Sequence, residues 1–184
     1  MKLFMRRLVL FGLLTLSSPL SAVLFAPLSI EQLAEKSQLI LHGRVLSKSC
    51  QRDGAGRIYT RAELQVSEVW KGQVAANSFV IVHGGGVLGR ERVTVSGQVD
   101  YQVGEEVVAF LVINPRGEGV SLGLAQGKFH VWQDRASGKK FAASLFHGAP
   151  PDPLPASRLQ AQSSGSNERL TVEQLKQRVH GGVE

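Results

Sequence analysis

Between Leu39 and Trp132 the apolar positions come in short runs separated by glycine, a pattern of successive strands with no long helix among them. Residues 57–70 alternate most cleanly. Ile58, Thr60, Ala62, Leu64 and Val66 fall on one face, and Arg57, Tyr59, Arg61, Glu63 and Gln65 on the other. Val69 then stands on the opposite parity, which predicts a bulge near Ser67 and Glu68. A strand over 38–48 places Leu39, Leu41 and Val45 on one face, with Gly43 where the chain bends. Further strands are predicted over 79–83, 92–96, 105–113, 120–125 and 128–133. From Val107 to Ile113 both faces are apolar, so both must be covered, one of them by a terminal helix.

Two short amphipathic helices flank these strands. Ser29-Ile-Glu-Gln32 and Thr171-Val-Glu-Gln174 each have the spacing of a capping box. The stripes behind them are Ile30, Leu33 and Ala34, and Val172, Leu175 and Val179. The pattern predicts a mainly β fold: a small OB-like antiparallel β-barrel with short flanking α-helices. The expected organisation is a signal peptide over 1–22, the barrel domain with its N-terminal helix over 23–146, a disordered Pro/Ser-rich linker over 147–168, and the C-terminal helix over 169–180. The tail is expected to lie outside the barrel.

The first residues carry the compartment signal. A basic start (Lys2, Arg6, Arg7), an apolar run from Leu8 to Leu16 and small residues up to Ala22 read as a cleaved secretory leader. Its apolar run is too short to span a bilayer, and no later segment is long and apolar enough to do so. The expected location is periplasmic or secreted. Cleavage removes three of the 21 cations and none of the 15 acids, so +6 falls to +3, with both signs interspersed. That gives no strong nucleic-acid signal.

The one cysteine, Cys50, has no partner for an internal disulfide and sits in a polar run, as an incidental thiol would. His83-Gly-Gly-Gly86 resembles an esterase oxyanion loop, but the chain has no Gly-x-Ser-x-Gly elbow to supply a nucleophile. His42, His83, His130, His147 and His180 are scattered without ligand spacing, although the first three lie on predicted strands and can meet across neighbours. Glu105 and Glu106 are adjacent on a strand and point to opposite faces, which defeats paired-carboxylate chemistry; one is expected to end in water. No catalytic set, metal site or cofactor is expected, and the chain reads as a non-enzyme.

The best binding candidates are the outer row Arg57, Tyr59 and Arg61, with His83 at the foot of the glycine loop and Arg90 and Arg92 beyond it. Arginine beside tyrosine grips carboxylates, glycans or protein surfaces. A solvated outer strand face is the simpler account of the same row.

Ala34 to Val45, Val69-Trp-Lys-Gly72 and Val103-Gly-Glu-Glu-Val-Val-Ala-Phe-Leu111, in that order, resemble a group of exported bacterial proteins of uncharacterised function. More distantly, over about 31–132, the order is similar to the netrin-like OB-fold domain of the tissue inhibitors of metalloproteinases. That resemblance implies the fold. The inhibitors act through an N-terminal cysteine, and the end expected here, near Val23, has none, so their zinc-ligating mechanism transfers to no residue. The expectation is an exported module binding a protein or peptide in the cell envelope, inhibition of an exported protease being its sharper form. The alternatives are a hydrolase using the His83 loop and an OB-type module for oligosaccharide or nucleic acid.

Overall fold

The computed structural model describes residues 27–149 and 169–181. The leader over 1–22 and the linker from residue 150 to 168 lie outside the described residues. Helix α1 (Ile30–Lys36) opens with the capping box. Gln32 N donates to Ser29 Oγ at 3.2 Å, and Ser29 N donates to Gln32 Oε1 at 2.9 Å. Helix α2 (Val172–Gly181) is capped the same way by Thr171 and Gln174. The last carbonyls of α1 would otherwise be unpaired. Lys71 Nζ donates to those of Ala34 and Glu35.

The strands are β1 (Leu39–Arg52), β2 (Ile58–Lys71), β3 (Ser78–Gly84), β4 (Gly86–Leu88), β5 (Glu91–Val93), β6 (Glu106–Ile113), β7 (Gly119–Ser121), β8 (Lys128–Gln133), β9 (Lys140–Ala143) and β10 (Leu170–Thr171). The protein is mainly β, with one large mixed sheet that partly closes on itself. Its order is β1-β2-β3-β7-β6-β8-β9-β10, and β1 also pairs with β6. Among the described residues one contact is parallel: Ile81 opposite Gly119 joins β3 to β7 and corrects the wholly antiparallel expectation. β6 is the hub. One edge pairs with β1, and the other is shared between β7 at the Leu111–Ile113 end and β8 at the Glu106–Ala109 end.

β1 and β2 bend around the ring through register shifts. The shift at Ser67 falls at the predicted bulge, and further shifts occur at Trp70 and at Leu46. At Gly43 the bend brings the strands so close that a Cβ would run into the Gln65 carbonyl oxygen. The glycine is set by this close approach.

Strand β6 separates two cores. Val107, Ala109 and Leu111 face Leu41, Val45, Leu64 and Ile81 inside the ring. Val108 and Phe110 face outward into a second cluster with Ile30, Leu33, Phe129, Leu175 and Val179. The two-faced strand is therefore covered on its outer face by both helices, where one terminal helix was expected, and α2 buries its stripe on the barrel although the Pro/Ser-rich tail was expected to lie outside it.

Several segments differ from the sequence reading. The single strand over 92–96 is replaced by the β4–β5 hairpin, with Arg90 beside its turn. The strand over 120–125 stops at Ser121 and gives way to a 3₁₀ turn (Leu124–Gly127) in which Leu124 adopts φ 60°. Strands β9 and β10 were not expected. His147, placed in the linker, is anchored: its Nε2 lies 2.8 Å from the Leu28 carbonyl and its ring stacks on Phe129.

Candidate functional site

The β1–β2 turn, the β6–β7 turn and the end of β3 enclose an open groove of about 680 Å³, with the β5 segment as its far wall. Val82, His83 and Val93 supply the floor and wall, and Arg57, Tyr59 and Arg116 stand on the rim. The alternation of β2 sends Tyr59 outward while Ile58 and Thr60 are buried. Val93 and Val95 are exposed beside the groove, which leaves apolar surface open to a partner.

The predicted row is present, but its cations are engaged. Arg57 Nε donates to Asp53 Oδ2 at 2.8 Å, and Arg61 lies 3.5 Å from Glu118. Tyr59 donates its hydroxyl proton to Gln51 Oε1 at 2.9 Å, and the Arg116 guanidinium sits 5.3 Å from its ring centroid. Arg116 also binds Glu118 Oε2 at 2.8 Å. Burial alone would raise the Glu118 carboxyl; hydrogen bonds from Asn114 and Arg116 outweigh it and hold the group below the usual carboxylate range. The rim is thus a charge-balanced lattice of paired groups. Arg90 and Arg92 stand apart on the hairpin, and among the described residues neither has a carboxylate within ion-pair distance. Arg92 lines a second depression of about 370 Å³ next to the groove, together with Lys48, Cys50, Thr60 and Asp100.

His83 belongs to both hollows. Its Nδ1 lies 3.1 Å from the Gly84 carbonyl, and its Nε2 is buried without a hydrogen-bond partner, 3.4 Å from Asp100. The glycine loop is not arranged as an oxyanion hole: Gly85 N donates to the Ile58 carbonyl, and the Gly85 carbonyl accepts from Thr60.

The strand histidines do not converge. His42 binds Glu106 and His130 binds Glu105, while His83 faces Asp100. Among the described residues no three His, Cys, Asp or Glu side chains are grouped to hold a metal. The glutamate pair does point to opposite sides, but neither ends in water. Glu105 pairs with Lys128 at 2.6 Å and His130 at 3.1 Å; Glu106 pairs with Lys140 at 2.7 Å and His42 at 2.8 Å. Burial would raise the Glu105 carboxyl, yet His130 and Lys128 hold it down at about 2. Burial pushes the Lys128 ammonium down and the Tyr101 phenol up.

Arg116 and Asp100 were absent from the sequence reading. Arg116 sits in Asn114-Pro-Arg-Gly117, which reads only as a turn, and what brings it to Tyr59 is the contact of β7 with β3. No protein-family model matches this chain, and no curated protein matches its sequence. No helix among the described residues is long and apolar enough to cross a membrane.

Proposed function

We propose that this chain is an exported, non-enzymatic OB-type barrel, related in fold to netrin-like domains, that binds an extended protein or peptide segment in the groove. The pairing order supports the OB reading. β1, β2, β3, β7 and β6 follow one another and return to β1, with the parallel contact closing the ring. In OB folds the second and third strands and the loops after the first and fourth form the ligand face. Here those loops carry Arg57 and Arg116, and they flank the groove.

The observation that carries the ligand class is the groove's lining: apolar floor and wall, with a rim of cations already matched by Asp53, Glu91 and Glu118. A nucleic-acid channel needs unmatched cations and several stacking rings, whereas this groove has Tyr59, already covered by Arg116. An extended peptide uses such a surface better, burying apolar side chains and meeting Arg and Tyr at the rim. Inhibition of an exported protease is the specific form of this activity, reached by fold analogy.

The test is selection from a random-peptide display library by the folded chain, with a glycan array and single-stranded DNA in parallel. Enrichment of apolar-rich peptides, lost when Arg57, Tyr59 and Arg61 are all changed to Ser, supports the reading. Retention of glycan or DNA without peptide overturns it.

A further inference from the structure

The strand β3 turns alternate residues towards β2 and away from it. Gly85 N donates to the Ile58 carbonyl at 2.9 Å, so Thr60 with His83 and Ala62 with Ile81 fall in the same bonded phase. Val82 and Gly84 fall in the other phase, and their backbone groups point away from β2. On that side, among the described residues, β3 pairs with β7 at one place, Ile81 opposite Gly119. A parallel rung there uses the Val80 carbonyl and the Val82 N–H. The next rung, between His83 and Ser121, is not formed; β7 continues along β6, with Ser121 opposite Leu111. The missing rung would have used the Val82 carbonyl and the Gly84 N–H. Both groups are left at the gap between the strands.

The groove lies over this gap, lined by Val82, His83 and Gly84 on one side and by Val120 and Arg116 on the other. We propose that the open edge of β3, with Gln98 beside it, takes the main chain of the ligand as one added rung of the sheet, which rests on the reading of the groove as a peptide site. Backbone groups at a sheet edge pair with another backbone, and an extended segment brings its donor and acceptor in register. A sugar or a nucleobase offers no such repeat.

Gln98 supplies the second observation. It is half-buried and lines the groove beside Gly84, its Nε2 3.9 Å from where a Cβ of that glycine would stand. Its backbone N–H donates to the Val95 carbonyl at 3.2 Å, while among the described residues its carboxamide makes no hydrogen bond. A carboxamide has the same donor and acceptor as a peptide group. It therefore complements the next peptide unit of a chain laid along β3. With no side chain at Gly84, a second backbone can come close to this edge.

The rung also sets the ligand's side chains. The residue that occupies it shares the face of His83, so its two neighbours share the face of Val82 and Tyr59. Those neighbours carry the apolar side chains that the groove selects.

The experiment takes the tightest peptide from the display selection and remakes it with an N-methyl group at each residue in turn. In an extended chain successive N–H groups point to opposite sides. One methyl, at the residue whose N–H meets the Val82 carbonyl, should weaken binding roughly tenfold or more. Methyls on its two neighbours should be tolerated. Gln98→Ala, with an unchanged melting temperature, should weaken binding of the parent peptide about threefold or more. The Gly84 amide proton should exchange more slowly in the complex. Binding that survives every methyl, or falls equally with adjacent ones, overturns the backbone rung and leaves peptide binding standing. So does full affinity in Gln98→Ala. If no peptide is enriched at all, the functional reading falls and the rung with it.

Discussion

His42 Nε2 lies 2.8 Å from Glu106 Oε1, and this contact ties the two most conspicuous motifs of the sequence into one unit. The carboxylate can only accept, so Nε2 carries the proton. Glu106 also receives Lys140 Nζ and an Arg44 nitrogen, and Arg44 donates to the Gly104 carbonyl. His42-Gly-Arg44 on β1 and Gly104-Glu-Glu106 before β6 therefore interlock across the β1–β6 seam. What stands out in these motifs serves ring closure.

Replacing Glu106 should accordingly weaken the fold. Glu106→Ala removes the shared acceptor of His42, Lys140 and Arg44, at a cost of about 2 kcal/mol. Urea denaturation measures it. An unchanged midpoint would show that the seam is held by the backbone ladder alone.

Phe110 is fully buried and lies 5.4 Å from the Phe129 ring, between β6 and the helices. Phe110→Ala should cost about 3–5 kcal/mol, the usual range for a core phenylalanine. A loss below about 1 kcal/mol in the same assay would remove β6 from the centre of the core.

Truncation after His147, which a tail outside the barrel would tolerate, should weaken the fold. That truncation strips Val172, Leu175 and Val179 from the outer cluster and uncovers Ile30 and Leu33. Loss of three buried side chains should destabilise the rest by about 5 kcal/mol. A truncated chain melting at the full-length temperature would contradict this.

Much of this was readable from side-chain pattern. The alternation of β2 fixes its faces, the two-faced apolarity of β6 requires cover on both sides, and the capping boxes mark both helix starts. The remainder depends on contacts that no local pattern records. β10 has two residues and β9 four, too few to show a period. The parallel contact of β7 with β3 rests on one residue pair, and that contact brings Arg116 to Tyr59. Lys71 and Trp70 read as a motif, yet Lys71 caps α1 and Trp70 is buried at a bulge. The groove was half legible: its Arg–Tyr row was visible, while the acids that neutralise the row were not.

Acid should loosen the protein in a defined window. Arg178 holds the Glu31 carboxyl at about 2, and His130 and Lys128 hold Glu105 at about 2 against its burial. Both lie below the ordinary carboxylate value, so the unfolded chain binds protons first as pH falls. Their contribution is complete above about pH 4.5 and lost between there and pH 2. Urea midpoints across that range should fall with pH, and Glu105→Gln should flatten the slope. A flat profile for the unmodified chain would show that neither pair is coupled to folding.

The groove is the centre of the functional account, and chemical-shift mapping with a library-selected peptide probes it most directly. The account predicts shifts concentrated at Tyr59, Val82, Val93 and Arg116, with affinity falling roughly tenfold or more in Tyr59→Ser, as for an anchor residue. Shifts confined to α2, or an affinity untouched by Tyr59→Ser, would contradict it and place binding on the C-terminal helix.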